Sequence, residues 1–313
     1  MKKTLALMLS LAMAASLLSG CVSSRGESDS ADSSSDGTQQ TSGGVVNVYN
    51  WGEYIDMSVL EDFEAATGIH VNYQMYDSNE TMYGKIAGGG ADYDVVIPSD
   101  YMIARMIEED MLEPLNFDNI PNFADIDPEL KNPEYDPENL YSVPYMWGLM
   151  GVIYNKTMVD EADLGSWDLM WNEKYADDIV MIDNSRDAIG TYYYGDYLTM
   201  LENNPDLGFY IPEEGTNIYV DAMCILKDAP NKENAEAFIN YMCSTEAGLK
   251  NCEEIWYSTP LLSVREELDP EVANDPLAYP DSSIMAQCES YAGLPQNILD
   301  LYDSEWTRLK SAG

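Results

Sequence analysis

The chain is predicted to fold as an α/β protein with a largely parallel sheet flanked by helices. β-rich runs alternate with amphipathic ones between residues 45 and 109, helix caps and stop signals fall between them, and no internal repeat suggests another architecture. Val45–Tyr49 is a short β-rich run. Over Ser58–Thr67, Val59, Leu60, Phe63 and Ala66 share one helical face, and Gly68 is a stop signal. Ile69–Met75 reads as the second strand. Asp77, with Glu80 three residues later, is expected to form a capping box opening a helix to about Ala87. Asp94–Ile97 is a short apolar strand, and Ser99 is placed to cap a helix through Glu109. The proline- and acid-rich stretch Pro114 to Pro144 should wander over the surface with little regular structure. Gly151–Asn155, Ile179–Asp183 and Val220–Leu226 read as further strands. Lys232–Cys243 reads as a helix with Ala235, Phe238, Ile239 and Met242 on one face.

Ahead of this region, Met1-Lys2-Lys3 precedes an apolar run from Leu5 to Leu18, then Ser19-Gly20-Cys21. Charge, length and small residues mark a secretory signal, and the run is shorter than the ~20 residues of a spanning helix. The pattern resembles the bacterial lipobox, which implies that Cys21 becomes the lipidated first residue once residues 1–20 are removed. Residues 21–44 are acidic and serine-rich, with no large apolar residue after Val22. Such a stretch cannot bury enough surface to offset chain entropy, so it is expected to be a flexible tether.

Fifteen basic residues face 56 acidic ones, for a net charge of −41. That balance repels phosphate backbones and argues against nucleic acid as a partner, while it attracts cations. Cys224, Cys243, Cys252 and Cys288 form no CxxC pair and have no histidine nearby, so a zinc site is unsupported, and buried free thiols are expected in preference to a disulfide. The single histidine, His70, lies in a strand-like run and is expected at a surface position.

Ligands of open α/β sheets gather at the carboxyl ends of strands. Those ends carry Asn50-Trp51-Gly52-Glu53-Tyr54, Pro98-Ser99-Asp100-Tyr101, Asp183-Asn184-Ser185-Arg186-Asp187 and Tyr219-Val220-Asp221. Aromatic faces beside carboxylates suit a methylene chain bearing ammonium groups. Each ring is worth ~0.5–2 kcal/mol to a cation, and each charge-assisted hydrogen bond ~1.5–3 kcal/mol. Singly, each residue has a plainer reading: Trp51 and Tyr54 as core packing, Ser99 as a cap, Arg186 and Asp187 as a surface ion pair.

In order along the chain, the residues resemble the substrate-binding proteins of bacterial spermidine/putrescine ABC importers. The likeness rests on YNWGEYID (49–56), TGIHVNYQMYDSNETMYGKI (67–86), YDVVIPSDYMI (93–103), YSVPYMWGLMGVIYN (141–155), NKENAEAFINYM (231–242) and STPLLSVREELDPEVANDPLAYP (258–280). The resemblance implies a two-lobed, periplasmic-binding-protein-like (type II) fold with parallel-rich sheets and crossing strands. Lobe 1 would take 45–149 and 222–266, and lobe 2 would take 150–221 and 267–313. It implies ligand contacts from Trp51, Tyr54, Ser99 and Tyr101 in the first lobe, from Asp187, Tyr193, Tyr219 and Asp221 in the second, and from Tyr257. It also implies a polyamine ligand, an ABC permease as partner, no cofactor, no metal and no catalysis. By the same likeness the protein is exported and anchored through Cys21 on the outer face of the cytoplasmic membrane.

One departure stands out. Between Gly190 and Thr191 the family normally carries a helix, strand and helix, whereas here the chain runs almost directly into Tyr192-Tyr193-Tyr194-Gly195-Asp196, which resembles the strand and turn that follow. A βαβ-sized unit of ~30 residues or more is missing by this comparison, so a shortened second lobe should lose core and expose apolar surface. Alternative cargoes are ferric iron, for which 23 tyrosines could supply oxygen ligands, or a basic amino acid. A two-carboxylate glycosidase and a surface sensor are weaker alternatives.

Overall fold

The computed structural model describes residues 43–89, 92–180, 192–290 and 296–312, all within one compact unit from Gln40 to the C-terminus. Residues 1–42, where a signal sequence, Cys21 and most of a tether are expected, lie outside the described residues, as does Asp187. So does the junction between Gly190 and Thr191.

The first half follows the alternating pattern: β1 (Val45–Trp51), α1 (Met57–Thr67), β2 (His70–Tyr76), α2 (Asn79–Ala87), β3 (Val95–Val96) and α3 (Asp100–Glu108). Gly68 closes α1 with φ 72°, a left-handed conformation that costs a residue without Cβ little. The cap of α2 falls one residue later than expected. Ser78, not Asp77, occupies the N-cap and accepts from the Thr81 amide, while Glu80 accepts from the Tyr101 hydroxyl.

After α3 come β4 (Ser142–Asn155), β5 (Tyr192–Tyr193), α4 (Tyr194–Asn203), β6 (Leu207–Tyr210) and β7 (Ile218–Ile225). The C-terminal part adds α5 (Lys232–Met242), α6 (Thr245–Ile255), α7 (Leu262–Glu267), α8 (Pro270–Ala273), α9 (Ser282–Met285) and α10 (Gln296–Ala312). The sheet runs β2-β1-β3-β7-β4-β5, with β6 also paired to β4. Pairing is parallel among β2, β1 and β3, then antiparallel at β3–β7 and onward. The parallel part is therefore the part with βαβ crossovers.

Alternation along the strands divides the core between two faces. Val46, Val48, Val95, Met223 and Ile225 pack with Phe63 of α1 and Phe238 of α5. Tyr49, Val96, Ala222 and Cys224 pack with Met82 of α2 and Met102, Ile103 and Met106 of α3. Fully buried Asp94 ties the elements together: it accepts from the backbone and side-chain nitrogens of Asn47 on β1 and from the amide of Asn231, just before α5. Cys224, Cys243, Cys252 and Cys288 are free thiols, and His70 is exposed beside Glu64.

Three further expectations change. The stretch after Pro114 does not simply wander: its short 3-10 turns bury Ile120, Ile126 and Leu130. Buried Asp136 accepts the amides of Leu140, Tyr141 and Ser142 there. Instead of a short strand at Gly151, the 14-residue β4 begins at Ser142, inside that stretch. Pro144 and two glycines disguise it. A Cβ on Gly148 would lie 2.7 Å from the Tyr219 hydroxyl, and one on Gly151 would enter the Phe209 ring, so both glycines mark close packing across strands. Ile179 and Val180 carry no strand, and the rest of that expected element lies outside the described residues.

Around the far end of β4 the buried core is small: Val152, Leu169 and Tyr175. Met158, Trp171 and Val180 are 54%, 67% and 83% exposed.

Candidate functional site

The site is built where the end of β3 meets β7. The Ala222 amide donates to the Pro98 carbonyl at 3.1 Å, which sets Ser99 opposite Asp221. Ser99 occupies the N-cap position of α3 but makes no side-chain cap bond. Its hydroxyl donates to Asp221 Oδ1 at 2.6 Å, so the expected cap residue is spent on the site. The Tyr54 hydroxyl donates to Asp221 Oδ2 at 2.7 Å. Tyr54 follows β1 in a turn, where the Asn50 side chain and the Tyr145 hydroxyl both donate to its carbonyl. Tyr54 and Ser99 are neutral donors, so they orient the carboxylate without neutralising it.

Four tyrosine rings surround this point. Tyr257 lies 5.5 Å from Tyr54, 5.9 Å from Tyr219 and 6.3 Å from Tyr193, centroid to centroid. Tyr193 and Tyr219 are 4.7 Å apart. Tyr257 is positioned by its successors: β4 clasps them through Trp147, whose amide donates to the Ser258 carbonyl and whose indole donates to the Thr259 carbonyl. Gly195, in the first turn of α4, leaves the space that the Tyr257 ring occupies.

Tyr101 and Trp51 enter through the surrounding scaffold. The Asn79 side chain donates to the Tyr101 hydroxyl at 2.9 Å and to Ser99 Oγ at 3.1 Å. The Trp51 indole donates to the Ile97 carbonyl at 2.9 Å, and its ring packs 4.8 Å from Tyr76. Of the anticipated residues, the structure thus joins Tyr54, Ser99 and Asp221 directly, adds Tyr193, Tyr219 and Tyr257 as rings, and links Tyr101 through Asn79.

A second carboxylate escaped sequence reasoning. Asp196 accepts from the Tyr257 hydroxyl at 2.9 Å. The run Tyr192–Asp196 was expected as strand and turn, but α4 begins at Tyr194, and an acid in a first helical turn reads as an ordinary dipole partner. Its only signal was its position three residues after Tyr193. Asn79 and Tyr145 were missed too, since both act through neighbours.

Burial raises the Asp196 pKa, and the Tyr257 hydrogen bond offsets part of that rise. Burial, with the Asp221 carboxylate next in weight, likewise pushes the Tyr54 and Tyr219 phenols well above their ordinary value. For Tyr257 burial is again the largest cause, followed by Tyr219 and Asp196. The phenols therefore stay protonated donors at neutral pH, and the carboxylates remain the groups able to receive a cation. Among the described residues no group of three or more His, Cys, Asp and Glu could hold a metal ion.

Comparison with known proteins agrees with this architecture. Two family models, both described as bacterial extracellular solute-binding protein, match residues 58–200 and 188–288. The spermidine/putrescine-binding periplasmic protein of Salmonella typhimurium is 30% identical over 295 residues, covering 77% of this chain and 84% of that protein. The putrescine-binding periplasmic protein of Pseudomonas aeruginosa is 26% identical, covering 85% and 92%. The spermidine/putrescine ABC transporter substrate-binding protein of Streptococcus pneumoniae superposes with a TM-score of 0.74 at 34% identity, covering 85% and 98%. These relatives are two-lobed transport binding proteins rather than enzymes, which removes the glycosidase alternative, and their periplasmic setting marks an exported protein. The chain belongs to the family of bacterial extracellular solute-binding proteins that includes the spermidine/putrescine-binding periplasmic proteins.

Proposed function

We propose that the chain is a polyamine receptor that delivers its cargo to an ABC importer. The observation that carries this reading is the Asp221 carboxylate, oriented by Tyr54 and Ser99 inside a cluster of four tyrosine rings. Rings cover the methylenes of a polyamine, and Asp221 receives an ammonium group. Tyr193, Tyr219 and Tyr257 wall the chain, Trp51 and Tyr101 bound it, and Asp196 supplies a second anionic contact. Asp187, outside the described residues, is carried as a contact by family likeness alone.

Lobe 1 comprises 45–149 and 222–266, and lobe 2 comprises 150–221 and 267–313. Binding to one lobe and closure of the other would shift an open–closed equilibrium. The polyamines named for the relatives support the cargo. The alignment with the Salmonella protein runs over 295 positions but takes in 77% of this 313-residue chain, about 241 residues, which supports a shortened chain; its place near 190/191 rests on the sequence likeness alone. Affinity below that of full-length relatives is the expected consequence.

Thermal-shift measurements with putrescine, spermidine, spermine, arginine and ferric iron test the reading. A ligand that binds only the folded state must raise the melting temperature. Polyamines should do so at lower concentration than arginine or iron, and the absence of any polyamine shift sinks the proposal.

Acidification should weaken binding early. A cation prefers ionised Asp196, so its affinity should fall as pH drops through the raised pKa of that group, above the ordinary ~3.9 of an aspartate. Without ligand the sign reverses: the folded state holds the Asp196 proton to higher pH than the unfolded chain. This contribution to stability therefore declines as pH rises from ~3.9 through the raised value. Calorimetry over that range, with Asp196→Asn expected to flatten the affinity profile, is the check.

The lipid anchor on Cys21 and a permease partner complete the proposal. Cys21→Ser should move the protein from the membrane fraction to the soluble exported fraction. Unchanged membrane association would refute anchoring at that cysteine.

A further inference from the structure

Beside Tyr257 lies a pocket of about 220 Å³ that shares only that residue with the proposed polyamine site. Leu198, Leu249, Leu268 and Val272 supply apolar lining, and Trp256 and Tyr257 add aromatic surface. Its charged lining is acidic: Glu253, Glu267 and Asp269. Asp269 uses one oxygen to cap α8, whereas Glu253 and Glu267 make no hydrogen bond or ion pair among the described residues. Arg265 is not among the lining residues; it stacks 4.1 Å from the Tyr279 ring and donates to the Ala273 carbonyl.

Trp256 sets the shape of this place. It ends α6 with φ 64°, a conformation that a bulky residue rarely adopts and glycine usually fills. The turn leaves Trp256 39% exposed at the pocket while Tyr257 reaches the tyrosine cluster.

We propose that this pocket is a second binding site, for a small organic cation with an aromatic or alkyl body. Size and charge both select that class. The volume exceeds the ~150 Å³ that accommodates benzene and falls below the ~300 Å³ at which drug-sized sites begin. An apolar body fills the lining, and the three carboxylates favour a positive head over a neutral or anionic one. Because Tyr257 belongs both to this pocket and to the tyrosine cluster, an occupant here alters polyamine affinity by a fixed, limiting factor.

Phenethylamine and its neutral analogue 2-phenylethanol are suitable probes, titrated by calorimetry into the full chain without polyamine. Phenethylamine should saturate one site and bind roughly fivefold more tightly than the alcohol, the worth of about one partly exposed ion pair. Glu253→Gln with Glu267→Gln should abolish that preference, and Val272→Trp should block both probes. The double glutamine variant changes only exposed side chains, so it remains informative if Val272→Trp fails to fold. Binding that survives both variants, or no saturable binding, overturns the inference. Where spermidine binds, phenethylamine should shift its affinity to a plateau, and unlimited competition would place the probe in the polyamine site instead. Failure of the polyamine reading leaves the direct titrations unaffected.

Discussion

Asp221→Asn should weaken polyamine binding by roughly 30-fold or more, since removing one side of a buried, hydrogen-bonded charge pair costs ~2–5 kcal/mol. The substitution preserves shape but removes the charge that receives an ammonium group. It also disturbs the donors. Tyr54 and Ser99 each donate to a separate oxygen of Asp221, whereas a carboxamide offers one oxygen and one NH2. One hydroxyl must turn to accept, or stay buried without its bond. Glu53 provides the contrast: it lies exposed at the turn after β1 with φ 52°, and Glu53→Gln should leave affinity within about a factor of two, as for a typical surface change. Calorimetry on both variants decides the matter, and equal losses would remove Asp221 from the centre of the site.

Gly195→Ala should destabilise the fold by about 1–3 kcal/mol, the usual cost of overpacking, and weaken polyamine binding about tenfold or more through the displaced ring. Alanine in a helix ordinarily helps by up to about 1 kcal/mol relative to glycine. At position 195, however, a Cβ would enter the Tyr257 ring and lie 3.0 Å from the Trp256 carbonyl oxygen. The ring would have to leave, and with it the bond to Asp196 and the contacts with Tyr54, Tyr193 and Tyr219. Gly84 of α2 is the internal control, since a Cβ there meets nothing within 4 Å and Gly84→Ala should stabilise. Urea unfolding of the two variants should move in opposite directions. Similar stabilities would show that the Tyr257 ring has room to move.

The two glycines also show how much of this protein was legible from its residues. Both sit in ordinary helical surroundings, and only the tertiary neighbour tells them apart. The alternating first half was readable because strand and helix periodicities are local, as were Gly68 as a stop signal and the buried face of α5. The 14-residue β4 was not, since Pro144, Gly148 and Gly151 carry loop signals that are overridden by close packing on Tyr219 and Phe209.

At the site, the residue types were readable but their partners were not. Acids and aromatics at strand ends pointed to a cationic, methylene-rich ligand, and the order of motifs pointed to the solute-binding family. Ser99 shows the limit. A serine before a helix is a cap by every local rule, yet its hydroxyl serves Asp221, 122 residues away. Asp196 shows the converse, an ordinary helix-start acid that burial and Tyr257 bring into the site. The sequence by itself determined the alternating α/β pattern, the acidic balance and the supply of rings and carboxylates, because composition and periodicity belong to the chain. Only the tertiary structure decided which carboxylate each hydroxyl orients and which rings meet, because those choices depend on distant segments converging in a buried space where each polar group must find its partner.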